Sequence, residues 1–185
     1  MKARASGQSV LLLLDVIDVL AEARIDYAVI GALAAALHGS IRATTDADAL
    51  VSVSLPELAK LDKALRKSGF TTELHRGGPD DPIPALLAVS DRFGNRVDLL
   101  AGLRGLDPEA FERAVSVPFK GTTLRLVGRE DFIAMKCFAG GPQDLLDARQ
   151  ALRSGGEPVD LDLIRRTTRR FGRAAADVLE QLLAT

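Results

Sequence analysis

The chain has 185 residues and a formal net charge of −1, so its overall charge implies neither a nucleic-acid coat nor binding to a charged membrane surface. Its single cysteine, Cys137, excludes a disulfide framework and a cysteine-rich zinc site. The only histidines are His38 and His75, so any catalytic metal has to rest largely on carboxylate oxygens, which favour Mg2+ or Mn2+. This length suits one domain, or one core with a small appendage, and buries a core without staples. Met1–Arg4 is basic and Val10–Leu14 is apolar, but Asp15 and Asp18 interrupt the run and no cleavage site follows it. With no stretch approaching a membrane span, the expectation is a cytoplasmic protein.

In chain order, Leu13, Ile17 and Leu20 recur at helical spacing and predict a helix over 8–23. Tyr27–Ile30 reads as a short buried strand ending at Gly31, and Ala32–Leu37 as an alanine-rich helix closed by Gly39. Asp46–Val53 alternates like a strand. Ser54 and Glu57 then form a capping box for a helix carrying Leu58, Leu61 and Leu65, which Gly69 ends. Phe70–Leu74 is a strand, and the Gly- and Pro-rich stretch 75–84 is a loop. Leu86–Ser90 and Arg96–Leu100 are strands joined by a hairpin at 91–95. Leu124–Val127 is a last strand. Helices follow at about 129–139, 143–153, 160–170 and 172–184. The expected fold is α/β: a mixed, twisted sheet of about five strands with flanking helices over 1–127, and a C-terminal helical bundle over 128–185.

Asp46-Ala-Asp48 carries the chemistry. On a strand, residues i and i+2 share a face, with Cα atoms roughly 7 Å apart. Two carboxylates side by side repel unless a cation lies between them. Asp98, in Asn95-Arg-Val-Asp98, belongs to a strand that could lie beside the first. Three such carboxylates could hold two divalent ions about 4 Å apart, clamping the attacking and leaving oxygens of a phosphoryl transfer. Asp98 could also take an acceptor's proton. The competing reading makes Asp46 and Asp48 solvent-facing residues of an edge strand. Gly31, following a strand and opening a helix, lets backbone N–H groups approach a triphosphate.

These residues resemble a family pattern. Gly31-Ala32, then Asp46-Ala-Asp48, then Asp98 is similar to the nucleotidyltransferase superfamily of the DNA polymerase β type. The stretch from Ile30 to Asp48, with its Arg-x-Thr-x-Asp-x-Asp ending, looks most like AbiEii-like and MenT-like bacterial nucleotidyltransferases of toxin–antitoxin systems. Ala134-Met-Lys136 through Asp144-Leu-Leu-Asp147-Ala-Arg149 resembles their later helical motif. The likeness spans about residues 25–153. Ala32 stands where that family usually has Ser or Gly, Gln143 where a basic residue often stands, and Asp-Ala-Asp-Ala where Asp-Ile-Asp-Leu is usual.

The resemblance implies a two-metal enzyme that moves a nucleotide monophosphate from an NTP to an acceptor. Gly31 and Ala32 would cradle phosphates. Asp46, Asp48 and Asp98 would hold Mg2+ or Mn2+, with Asp98 as base. Lys136 and Arg42 would neutralise the triphosphate, and Asp147 would belong to the nucleotide site. The alternative for Arg42 is a surface pair with a carboxylate. Asp144 falls in a helix's first turn, where the dipole favours a carboxylate. His38 reads as a cation at a helix C-terminus or a surface residue, and Cys137 as plain core. Arg165, Arg166, Arg169, Arg170 and Arg173 form either a solvated face or a strip for RNA. The acceptor is therefore RNA, such as tRNA, or a small molecule under the 75–84 loop. A cognate antitoxin is the partner if a toxin role applies. The reading from another class is a non-catalytic nucleotide-binding or antitoxin-like protein of the same fold.

Overall fold

A computed structural model of the chain describes residues 3–155 and 158–184. In order, its elements are α1 (Ser9–Glu22), β1 (Tyr27–Val29), α2 (Gly31–Leu37), β2 (Asp46–Val51), α3 (Leu55–Lys67), β3 (Thr71–Arg76), β4 (Ala85–Ser90) and β5 (Arg96–Ala101). A short 3-10 turn at Pro108–Ala110 precedes β6 (Val115–Phe119), β7 (Thr122–Leu126), α4 (Arg129–Ala139), α5 (Pro142–Arg153), α6 (Leu161–Arg170) and α7 (Arg173–Leu183). The chain folds as two compact units. One takes the residues up to Gly31 and Ala43–Arg104; the other takes Ala32–Arg42 and the chain from Gly105 onward. Composition changes at about residue 127, whereas contacts change at 104 and enclose the 32–42 segment with the C-terminal helices.

The first unit is a mixed sheet with strands in the order β3-β4-β5-β2-β1. β2 and β5 run parallel, and the other neighbours are antiparallel. α1 packs on β2 and β5, and α3 on β3 and β4. No side chain caps the start of α1 and no acidic residue lies in its first turn. Burial of Leu12, Leu13, Val16 and Leu20 therefore holds it. α3 has a designed start: the Ser54 amide donates to Glu57 Oε2 at 2.8 Å, and the Glu57 amide donates back to Ser54 Oγ at 3.4 Å. The β4–β5 hairpin turns at 91–95 as its sequence predicts, with Asp91 accepting from the Phe93 and Asn95 amides.

In the second unit β6 and β7 form a hairpin, and α4 packs against α5, α6 and α7. Phe132, Ile133, Ala134 and Cys137 are the buried side of α4. Burial pushes the Cys137 thiol up to about 12, so it behaves as core and not as a nucleophile. The described residues contain seven strands where about five are expected. The additional hairpin arm is β6, whose Pro118 and largely exposed side chains carry no strand-like hydrophobic alternation. β3 and β4 also extend to Arg76 and Ala85, which pair with each other and shorten the expected loop to 77–84. Among the described residues no helix is long and apolar enough to cross a membrane.

Candidate active site

Asp46 and Asp48 occupy alternate positions at the start of β2, and between and after them Ala47 and Ala49 are buried on the opposite face. β2 lies between β5 and β1, so it is an interior strand and the edge-strand reading of this pair fails. The parallel register aligns Asp46 with Arg96 and Asp48 with Asp98. In register, aligned residues point the same way, so the three carboxylates share one face of the sheet, together with Arg96. Sequence reasoning overlooked Arg96. Its Nε donates to Asp98 Oδ1 at 2.8 Å, and that bond raises the guanidinium above its ordinary value. Its position two residues before Asp98 on a strand was the available signal.

One hydroxyl registers the strand starts. Ser9 Oγ, at the head of α1, donates to the Thr45 carbonyl at 2.5 Å and accepts from the Arg96 amide at 3.2 Å. Just beside it, Asn95 is 1 % exposed and fully engaged: Oδ1 accepts from the Gln8 amide at 2.7 Å, and Nδ2 donates to the Ala5 carbonyl and to Asp91. The bases of β2 and β5 are therefore tied to the same segment.

Gly31 meets the other side of Asp48. The Ile30 amide donates to the Asp48 carbonyl at 2.9 Å, bringing the end of β1 alongside. Gly31 has φ +63°, and a Cβ there would collide with Asp48 Oδ2 and stand 3.1 Å from its Cγ. Only glycine satisfies both the backbone conformation and the approach to the carboxylate. The following Ala32 is 5 % exposed, so only its backbone could meet a phosphate.

The oxygen-only donor set and its common face fit Mg2+ or Mn2+ in chemistry. As the side chains stand, no group of three or more His, Cys, Asp or Glu among the described residues is close enough together to hold an ion, and Arg96 holds Asp98. Gathering an ion would require these side chains to turn.

The second unit carries a separate cluster around Asp147, a carboxylate with no exposed surface. Its Oδ1 accepts from Ser40 Oγ at 2.7 Å and Gln143 Nε2 at 2.9 Å. Its Oδ2 lies 3.0 Å from Lys136 Nζ and 3.8 Å from Arg42 Nε. The Lys136 contact is an ion pair without hydrogen-bond alignment, leaving Oδ2 with no aligned donor. Burial pushes the Asp147 carboxyl up, but the hydrogen bonds from Ser40 and Gln143, with the Lys136 ammonium beside it, outweigh it and hold the group below the usual carboxylate range. Lys136 also reaches Asp144 Oδ1 at 2.7 Å and lies over the Phe132 ring. Lys136 is thus not a solvated surface lysine, and Arg42, whose side chain is 36% exposed, lies at ion-pair distance from a carboxylate. Asp147 itself is wholly buried among these partners. Gln143, where a basic residue often stands, instead donates to Asp147.

Solved structures that match include nucleotidyltransferases and a nucleotidyltransferase-like protein. The chain superposes on ANT(2")-Ia in complex with adenylyl-2"-tobramycin with a TM-score of 0.59 and 14% identity, over 86% of this chain and 94% of that one. An antigenic nucleotidyltransferase-like protein from Paracoccidioides brasiliensis matches with a TM-score of 0.54 and 18% identity, over 99% and 96%. The lincosamide antibiotic adenylyltransferase LnuA, lincomycin-bound, matches with a TM-score of 0.51 and 15% identity, over 82% and 99%. The fold is that of a nucleotidyltransferase. No protein-family model matches the chain, and no curated protein does.

Two further expectations change. His38 is 6 % exposed, not a surface cation: its ring lies 2.9 Å from the Val127 carbonyl through Nε2 and packs on Phe132. Burial keeps its pKa below the ordinary value. The arginine strip is partly neutralised. Arg165 grips Glu180 through two bonds, Arg173 pairs with Asp177, and Arg170 donates to the Leu106 carbonyl.

Proposed function

We propose that this protein transfers a nucleotide monophosphate from an NTP to an acceptor hydroxyl. The observation supporting this most directly is the alignment of Asp48 with Asp98 on an interior parallel strand pair, with Asp46 on the same face and Gly31 against Asp48. In this reading the acceptor oxygen bonds to the α-phosphorus, the bond to the β-phosphate oxygen breaks, and pyrophosphate leaves. Asp98 takes the hydroxyl proton. Asp46, Asp48 and Asp98 hold Mg2+ or Mn2+, which when bound would neutralise charge on the transferring phosphate. The Gly31 backbone would meet the phosphates, and Lys136 and Arg42, in the second unit, are the cations that the resemblance assigns to the triphosphate.

The acceptor in this reading is a small hydroxylated molecule. The solved structures of similar fold include one with adenylyl-2"-tobramycin and one with lincomycin bound, and the arginine strip is partly engaged by internal partners. An RNA acceptor, the toxin–antitoxin reading with its cognate antitoxin, retains one supporting feature: α6 still presents Arg166 and Arg169. A cytoplasmic enzyme suits either acceptor.

Release of pyrophosphate from each NTP, with Mg2+ or Mn2+ and a panel of aminoglycosides, lincosamides and tRNA, tests the proposal. Transfer abolished by Asp48→Asn supports it. NTP binding without transfer to any acceptor would favour the non-catalytic nucleotide-binding reading. Binding of tRNA that weakens with salt, and loses slope when Arg166 and Arg169 become Gln, would favour RNA.

A further inference from the structure

Lys136 is held by two carboxylates of different kind. Asp147 is wholly buried and fixed by Ser40 and Gln143, whereas the Asp144 side chain is 28% exposed and its carboxylate takes the shorter contact, 2.7 Å to Nζ. Asp144 lies one turn N-terminal to Asp147 on α5, so both address the same ammonium from one helix face. Lys136 is itself only 12% exposed, and Asp144 is the more solvent-accessible of its two anionic partners. An anion approaching Lys136 meets a site whose charge is already balanced.

We propose that Asp144 is an internal latch on Lys136: it stands in for a phosphate when no nucleotide is bound, and an incoming triphosphate must displace it. Asp147 does not leave. It is a positioning residue that keeps the ammonium, and the Arg42 guanidinium 3.8 Å away, in place while Asp144 swings aside. The chemistry favours this division. A buried carboxylate with two fixed hydrogen bonds is costly to move, whereas a part-exposed one can exchange its lysine for water. The latch makes triphosphate affinity the difference between two competing ion pairs, so it tunes occupancy of the site. This inference rests on the assignment of Lys136 to the triphosphate.

The test measures inorganic tripolyphosphate and ATP binding by calorimetry in wild type, Asp144→Asn, Lys136→Ala and the double variant, each checked for folding by thermal unfolding. Asp144→Asn is expected to tighten binding by about fivefold, the scale of a part-exposed pair. In the Lys136→Ala background the same change is expected to do nothing, which separates a latch from the general effect of removing a negative charge. Equal tightening in both backgrounds, or none in the wild-type background, overturns the latch while leaving the triphosphate assignment standing. Identical binding by wild type and Lys136→Ala overturns that assignment itself. If Lys136→Ala does not fold, Lys136→Gln replaces it, because the amide removes the charge while keeping most of the side chain's length and a donor group.

Discussion

Gly31 and Asp48 are packed so closely that the glycine's missing side chain is the space the carboxylate occupies. The backbone that opens α2 and the carboxylate at the third position of β2 are one structural unit, and a change to either is felt by both.

Gly31→Ala is expected to lower stability by about 1–2 kcal/mol from the positive φ alone. It should also push the Asp48 carboxylate away from its present place. Thermal unfolding should fall, and Mn2+-dependent NTP binding should fall further than the loss of folded protein explains. A Gly31→Ala protein with unaltered nucleotide affinity would separate Gly31 from the site.

Asp46→Asn and Asp48→Asn keep shape and remove charge. Each is expected to abolish divalent-dependent NTP binding, read by Mn2+ electron paramagnetic resonance, without unfolding the protein. Relief of like-charge repulsion should leave the metal-free variants at least as stable as wild type. Unchanged Mn2+ affinity in the double variant would remove the metal from this face.

Lys136→Ala is expected to raise KM for NTP about ten- to a hundredfold if the lysine binds triphosphate. It should also destabilise the fold by about 3 kcal/mol, because the buried Asp147 loses its countercharge. Acid denaturation supplies the sign. The Asp147 carboxyl is held below its ordinary value, so its stabilisation is complete above the unfolded carboxylate's pKa, about 4, and is lost as pH falls through the lower folded value. Without Lys136 the folded carboxyl rises, and acid unfolding should begin at higher pH. Superimposable pH–stability curves would show that the pair contributes nothing.

His38 makes a second pH prediction. Its folded pKa lies below the ordinary 6.5 because burial disfavours the imidazolium. The unfolded chain therefore takes up the proton first, and stability should decline as pH falls below about 6.5. His38→Gln should flatten that limb between about pH 6.5 and 5, the interval in which the unfolded imidazole protonates. An unaltered slope would place the titration elsewhere.

Much of this was legible from local chemistry. The Asp46–Asp48 strand, the Ser54–Glu57 capping box, the 91–95 turn and the four C-terminal helices each have a short-range physical signature, and the structure contains them all. What was hidden is long-range. Nothing near Asp46 announces that β2 is interior, because its neighbours β1 and β5 come from opposite directions along the chain. The burial of Asp147 depends on Ser40, more than a hundred positions away, and that of His38 on the Val127 carbonyl. β6 escaped because a proline and an exposed surface erase its period.

The Ser9 hydroxyl, bridging Thr45 and Arg96, has a consequence for how the molecule is made. The segment that fixes the carboxylates is translated before the strands that carry them, yet it cannot do so until β5 exists, some 87 positions later. Until then β2 can pair only with β1 in the sheet, and the backbone edge that later pairs with β5 lies open to any unsaturated strand nearby. Fragments ending before Arg96 should therefore aggregate rather than fold, and ribosome-bound chains of that length are natural clients for a chaperone.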